Sequence, residues 1–285
     1  MIKWVTFIMC INYRIHHEHN MALQSAAGCP LNPDFLPPTP TNFRRNSTVI
    51  SLTMCWRFPG KPVFVKASMN AAIGSPMSAV CKKEPANKAD FLTVHGLWPG
   101  LPKSIAARGV DQRRWQRFGC ATRPIPNLPE VKASRKCSAP TPGLSPDIAT
   151  ALKEVMPGAG GNSCLERYEY AKHGACFGFD PNAYFGTMIR LDKAIKDSAL
   201  GQFLADNYGK TVSRAEFDSV VAQTWGQDNV KAVKVNCHGN PAYLTEIQFS
   251  LKASMINAPL SSASFLPQPH PGNCGKQFII DKAGY

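Results

Sequence analysis

Ten cysteines in a chain of 285 residues restrict what it can fold into more than any other feature. No two of them stand in a C-x-x-C pair, so the spacing of a zinc ribbon is absent. That many widely spaced thiols fit disulfides made in an oxidising compartment. A chain stapled in this way can hold irregularly ordered elements around one core, and its length allows a full core in a single domain. If the chain ahead of residue 83 is partly read in a shifted frame, the dependable disulfide candidates are Cys120, Cys137, Cys164, Cys176, Cys237 and Cys274.

Two of these cysteines bracket the stretch Cys164-Leu-Glu-Arg-Tyr-Glu-Tyr-Ala-Lys-His-Gly-Ala-Cys176. Its middle lacks proline and any run of β-branched residues, and Gly174 is placed to stop a helix. On that helix Glu169 and His173 stand four positions apart, so both side chains project from one face into one cleft. A carboxylate beside an imidazole, with the fixed positive charge of Lys172 adjacent, makes an acid/base kit. The second half of such a site comes from upstream, in Asp90-Phe-Leu-Thr-Val-His95-Gly-Leu-Trp98-Pro99-Gly100. There the apolar run 91–94 reads as a buried strand with His95-Gly96 at its end, where a sheet presents functional groups.

HGLWP followed by E-x-x-K-H-G-x-C, in that order and among cysteines, resembles the paired active-site segments of the ribonuclease T2 family. The resemblance runs from about residue 83 to 285 and is closest to the bacterial members. It implies an α+β fold with a central, largely antiparallel sheet, flanking helices and disulfide staples. It also implies that His95 and His173 are an acid/base pair, with His173 the base and His95 the acid, and that Glu169 and Lys172 assist at the phosphate. The implied reaction uses the 2′-hydroxyl of RNA as nucleophile and leaves a 2′,3′-cyclic phosphate, with no metal or other cofactor and little base specificity. Many family members carry a third histidine followed by Glu-Trp, where this chain has Tyr168-Glu169-Tyr170. Tyr168 therefore stands at a family phosphate contact with a different side chain. Trp98 either stacks on a base of single-stranded RNA or packs under the His95 loop.

The remaining catalytic half is readable in outline. After His95 a basic, irregular stretch runs through Arg108, Arg113, Arg114, Arg117 and Arg123, and reads equally as a groove for phosphates or a solvated loop. Ser145-Pro146 opens a helix to about Val155, and Pro157-Gly158 breaks it. Asp180-Pro181 caps another, whose Tyr184, Phe185, Met188, Ile189 and Leu191 form an apolar stripe read as core. Ser213-Arg-Ala-Glu216 is a capping box that starts a helix to about Trp225. Strands are expected over 230–237, 242–253 and 277–281. Cys237 and Cys274 are expected to close the C-terminal strands together. Helices and strands that do not alternate regularly agree with the α+β class.

Residues 1–82 do not read as the front of a folded enzyme. The segment from Pro30 to Pro40 is proline-rich, and the first eleven residues make a poor signal peptide with a single lysine. The His16-His17-Glu18-His19 cluster fits a solvated extension better than a metal site, because adjacent positions do not face one ion. The family resemblance calls for a strand of the type YVLALSW before HGLWP, and none is visible in the frame as written. Back-translation of residues 54–67, with synonymous codons chosen and each codon started at its third base, yields VLAFSWQTGFCQS. Deleting one A in the adenine run of Lys82-Lys83 restores the frame that continues KEPANKADFL. The expectation is a poorly organised region 1–82, partly frameshifted, ahead of one catalytic domain, 83–285. Thr48 to Met54 has strand-like composition and suits the vacant place.

A formal net charge of +13 suits a polyanionic partner. No run approaches the roughly 18 apolar residues of a membrane span. The functional expectation is a monomeric, periplasmic or secreted endoribonuclease acting on single-stranded RNA, with no membrane and no obligate protein partner. The alternatives are a secreted RNA- or polyanion-binding protein without turnover, and an inactive product of a damaged reading frame. A metal hydrolase is the weakest, since no ligand spacing supports it.

Overall fold

The computed structural model describes residues 5–10, 48–53, 92–123, 128–161, 163–177, 179–268 and 272–280. The histidine cluster near the start and the segment 54–82 whose reading frame is in question lie outside the described residues.

The architecture is α+β, a seven-stranded sheet among the described residues with helices packed against it. The strands are β1 (Val5–Cys10), β2 (Thr48–Thr53), β3 (Val94–Pro99), β4 (Thr211–Ser213), β5 (Val233–His238), β6 (Tyr243–Leu251) and β7 (Gln277–Ile279). The sheet runs β3-β1-β2-β6-β7-β4, with β5 also paired to β6. Five strand pairs are antiparallel, while β1–β2 and β6–β7 are parallel, so the sheet is largely antiparallel as expected. Of the strand-like stretch, Thr48–Thr53 does enter the sheet, pairing with β6 from Thr48↔Leu251 to Thr53↔Glu246.

The helices are α1 (Lys103–Ala106), α2 (Gln112–Phe118), α3 (Pro146–Val155), α4 (Leu165–His173), α5 (Pro181–Lys196), α6 (Ala199–Asp206) and α7 (Arg214–Trp225). Their starts follow from capping chemistry. The Asp180 carboxylate accepts the Ala183 N–H, and Ser213 and Glu216 form the reciprocal capping box. On α5 the buried stripe Tyr184, Phe185, Met188, Leu191 and Ile195 faces the sheet, while Ile189 is only partly buried. That stripe joins Phe217 and Val221 of α7, and Val235, Ile247 and Phe249 of the sheet, in one main core.

The structure moves three boundaries. The upstream strand begins at Val94 and carries the whole VHGLWP segment, where the sequence suggests 91–94 with His95 at the end. Pairing to β1, with Ile8↔Gly96 and Val5↔Pro99, supplies the ladder that lengthens it, and no single-sequence pattern shows a partner strand. Residues 230–232, expected in the first C-terminal strand, belong instead to the 3-10 turns of Gln227–Ala232 before β5. The basic stretch after His95 is not irregular throughout. Asp111 caps α2 by accepting the Arg114 N–H at 2.8 Å, and Trp115 buries the inner side of that helix.

Candidate active site

Among the described residues, three disulfides hold the elements that meet at the site and at the far end of the sheet. They join Cys120 to Cys176, Cys137 to Cys164 and Cys237 to Cys274, so all six expected cysteines pair. Cys164 is the residue before α4, with a left-handed φ of 48°, and Cys176 lies just beyond its end. Helix α4 is therefore bolted at both ends to the segment 119–138. Its last turn closes with the Gly174 N–H bonded to the Tyr170 carbonyl at 2.8 Å.

Strand β3 is fixed in the same region by two buried bonds to its carbonyls. The Tyr184 hydroxyl donates to Leu97 O at 2.8 Å, and the Trp115 indole donates to Pro99 O at 2.9 Å. Burial, then the Glu169 carboxylate, hold the Tyr184 phenol well above its ordinary value, so it stays a donor. With α4 and α5 both packed on β3, the strand delivers His95 and Trp98 against the helix face that carries Glu169 and His173.

Glu169 is the centre of the cluster, with no solvent exposure at all. Its Oε1 lies 3.4 Å from His95 Nε2, and its Oε2 lies 3.9 Å from His173 Nε2. The same Oε2 accepts a 2.6 Å hydrogen bond from the Trp98 indole N–H. The indole stacks on the His173 ring with centroids 4.7 Å apart and planes at 19°, and meets His95 edge-on at 5.6 Å. Two imidazoles from two elements thus share one carboxylate and one indole. Lys172 stands beside them, its Nζ 5.9 Å from the centre of the Trp98 ring, and donates to the Tyr168 hydroxyl at 3.1 Å.

The two histidines differ in surroundings. His95 keeps 22 % of its side chain exposed, against 5 % for His173. Burial, the Lys172 ammonium and His95, in that order, hold the His173 imidazole well below its ordinary value of 6.5. At neutral pH the ring is therefore neutral and able to accept a proton. With His173 as the essential base of the free enzyme, as the family resemblance implies, the acid limb of kcat/KM is expected below pH 6.5. The sign for stability follows the same shift. The unfolded chain takes up the His173 proton first, so stability falls as pH drops below 6.5 and continues to fall toward the lowered folded value. A pH–rate profile together with melting temperatures from pH 4 to pH 8 measures both, and an acid limb above 6.5 would contradict this assignment.

The sequence motif includes one further functional position that side-chain chemistry alone does not reveal. Gly96 lies so close to Glu169 that a Cβ there would overlap its Oε2 and stand 2.6 Å from Trp98 Nε1. The glycine of HGLWP is the clue, since a close approach is one of the few reasons a strand interior needs a residue without a side chain. Among the described residues no cluster of three or more histidine, cysteine or acidic side chains is arranged to hold a metal ion.

The sequence profile of the Ribonuclease T2 family matches residues 67–261. Over 202 residues the chain is 77 % identical to Ribonuclease I of Escherichia coli strain K12, covering 71 % of this chain and 75 % of that protein. Among solved structures it is similar to the self-incompatibility-associated SF11-RNase of Nicotiana alata, at 16 % identity and a TM-score of 0.45, covering 69 % of this chain and 87 % of that one. It is likewise similar to the S3-RNase of Japanese pear, at 20 % identity and a TM-score of 0.44, covering 70 % and 89 %.

Proposed function

The chain belongs to the ribonuclease T2 family, and on that premise we propose that its four clustered residues His95, Glu169, Lys172 and His173 cleave single-stranded RNA by transphosphorylation. The protein is a T2-type endoribonuclease. The observation that supports this division of labour is one fully buried carboxylate placed between two imidazoles from separate elements.

In the proposed reaction neutral His173 takes the proton of the 2′-hydroxyl as its oxygen attacks phosphorus. His95 gives a proton to the 5′-oxygen as the P–O5′ bond breaks, leaving a 2′,3′-cyclic phosphate and a free 5′-hydroxyl. Glu169 orients both rings, and an imidazolium formed on either during turnover has the carboxylate beside it. The Lys172 ammonium is the cation for the negative charge that builds on the phosphorane oxygens. Tyr168 and Trp98 flank that ammonium and are the proposed contacts to substrate, Tyr168 through its hydroxyl and Trp98 through its ring.

Digestion of a single-stranded RNA in the presence of EDTA tests the proposal. Products ending in 2′,3′-cyclic phosphate are expected at an undiminished rate. Products ending in 5′-phosphate, or activity abolished by the chelator and restored by zinc, would refute it. Tight binding with no cleavage would instead favour a polyanion-binding protein.

Residues 83–285 are proposed as the body of one catalytic domain, acting as a monomer, with β1 and β2 from 1–82 completing its sheet and part of 1–82 read in a shifted frame. DNA sequenced across codons 40 to 85 from independent material decides the frame. Three disulfides suit a periplasmic or secreted location, where the thiols are oxidised and persist as pairs.

A further inference from the structure

We infer that the basic excursion between β3 and α3 is a track for phosphates of the RNA strand beyond the linkage being cut, so that the enzyme grips several nucleotides at once. The inference rests on the reading of the His95, Glu169 and His173 cluster as the place of cleavage.

Its first support is charge. Residues 103–136 hold nine Lys and Arg against two Asp and Glu, a net of +7 within a chain whose total is +13. Lys103, Arg108, Arg113, Arg114, Arg117 and Arg123 are all exposed. One of the two acids, Asp111, is engaged in capping α2. Among the described residues, neither Arg113, Arg114 nor Arg117 lies within ion-pair distance of a carboxylate. A surface evolved for solubility alone intersperses both signs, and this one does not.

Its second support is placement. Helix α2 is docked on both catalytic elements: Trp115 is buried and bonded to Pro99 at the end of β3. Gly119, at a φ of 52°, lies so close to α4 that a Cβ there would overlap the Lys172 carbonyl oxygen. The Cys120–Cys176 bridge locks that contact. With Trp115 turned inward, helical geometry puts Arg113 and Arg117, four positions apart, on the opposite, solvent face. The Arg117 guanidinium also lies 5.1 Å over the Phe118 ring, a cation and an aromatic side by side as single-stranded nucleic acid sites use them. The helix that carries these cations is therefore fixed next to α4 at Lys172. A strand leaving the cleft meets them, whereas a membrane surface or an acidic protein has no need of that alignment.

The test is binding of a 25-nucleotide single strand with 2′-deoxy sugars, which lacks the nucleophile and stays intact, to the full-length protein and to its Arg113→Gln/Arg114→Gln/Arg117→Gln variant. Affinity is measured from 50 to 400 mM NaCl. Losing three phosphate contacts is expected to lower the slope of log affinity against log salt by about 2, at roughly 0.7 per contact on a single strand. A Lys210→Gln/Lys276→Gln variant, exposed at the β4–β7 edge of the sheet away from β3, is expected to leave the slope within about 0.5 of wild type. On cleavable RNA, the triple variant's loss in kcat/KM for a 25-nucleotide strand should exceed its loss for a dinucleoside monophosphate at least tenfold. Equal slopes for wild type and triple variant would overturn the track, as would equal slope losses in both variants or a defect confined to anionic vesicles. Wild type that binds the deoxy strand with the steeper slope but cuts neither RNA would refute the catalytic reading and leave the track standing.

Discussion

Replacing His173 by alanine is expected to lower kcat on single-stranded RNA by about 10⁴-fold, the upper end of what a positioned proton acceptor supplies. At about 1.36 kcal/mol for each factor of ten, that is a barrier raised by about 5 kcal/mol. The upper end is chosen because no other group can take over. Glu169 is wholly buried, with Oε2 already accepting the Trp98 N–H, and His95 reaches the cluster from a different element. KM should change little, since the phosphates are held by cations and not by this neutral ring. The same experiment on His95→Ala should give a comparable loss, and the double variant should fall no more than about tenfold below either single one, because residues acting in one step are not additive. Single-turnover rates with EDTA present, checked against intact melting transitions, provide the measurement. A loss under tenfold for His173→Ala would remove the ring from the chemistry.

How far the sequence carried these conclusions depends on the range of the interaction involved. The pairing of Glu169 with His173 is local, set by four positions on one helix, and was readable directly. Helix starts at Asp180 and Ser213 were readable for the same reason, because a cap is chemistry between residues three apart. The extent of β3 was not, because its ladder partner lies some ninety residues upstream in β1. Helix α2 was hidden by its composition: arginines cover its outer face and a single Trp115 supplies its buried side, so no apolar periodicity betrays it. The sequence also left Trp98 undecided between base stacking and packing. The structure stacks its ring on His173 and bonds its N–H to Glu169, contacts across 71 positions that no spacing rule reaches. The pairings Cys120–Cys176 and Cys137–Cys164 were open for the same reason, being set by how the basic excursion lies along α4.

That packing makes Gly96→Ala a single-methyl change aimed directly at the cluster around Glu169. The added Cβ would overlap Glu169 Oε2 and approach Trp98 Nε1 to 2.6 Å. Relief requires one of the three to move, and the backbone has little freedom. Helix α4 is tied at both ends by disulfides, while β3 is held by its ladder to β1 and by the Tyr184 and Trp115 bonds to Leu97 and Pro99. The side chains must yield instead, so the Trp98–Glu169 hydrogen bond is lost. A buried carboxylate oxygen left without that donor costs about 1–3 kcal/mol of stability. The catalytic cost is larger if, as proposed, Glu169 orients both imidazoles, since a displacement near 1 Å is worth about 10²-fold in rate. kcat is therefore expected to fall by at least about 10²-fold with KM nearly unchanged. Gly186→Ala is the matched control, since its Cβ would meet only Ile148 Cδ1 of α3 at 3.6 Å, an ordinary contact between α5 and α3. There the change should leave activity intact and, by removing a glycine from a helix, raise stability by up to about 1 kcal/mol. If both variants retained wild-type kcat, the tight approach of Gly96 to Glu169 would have no part in aligning the two histidines.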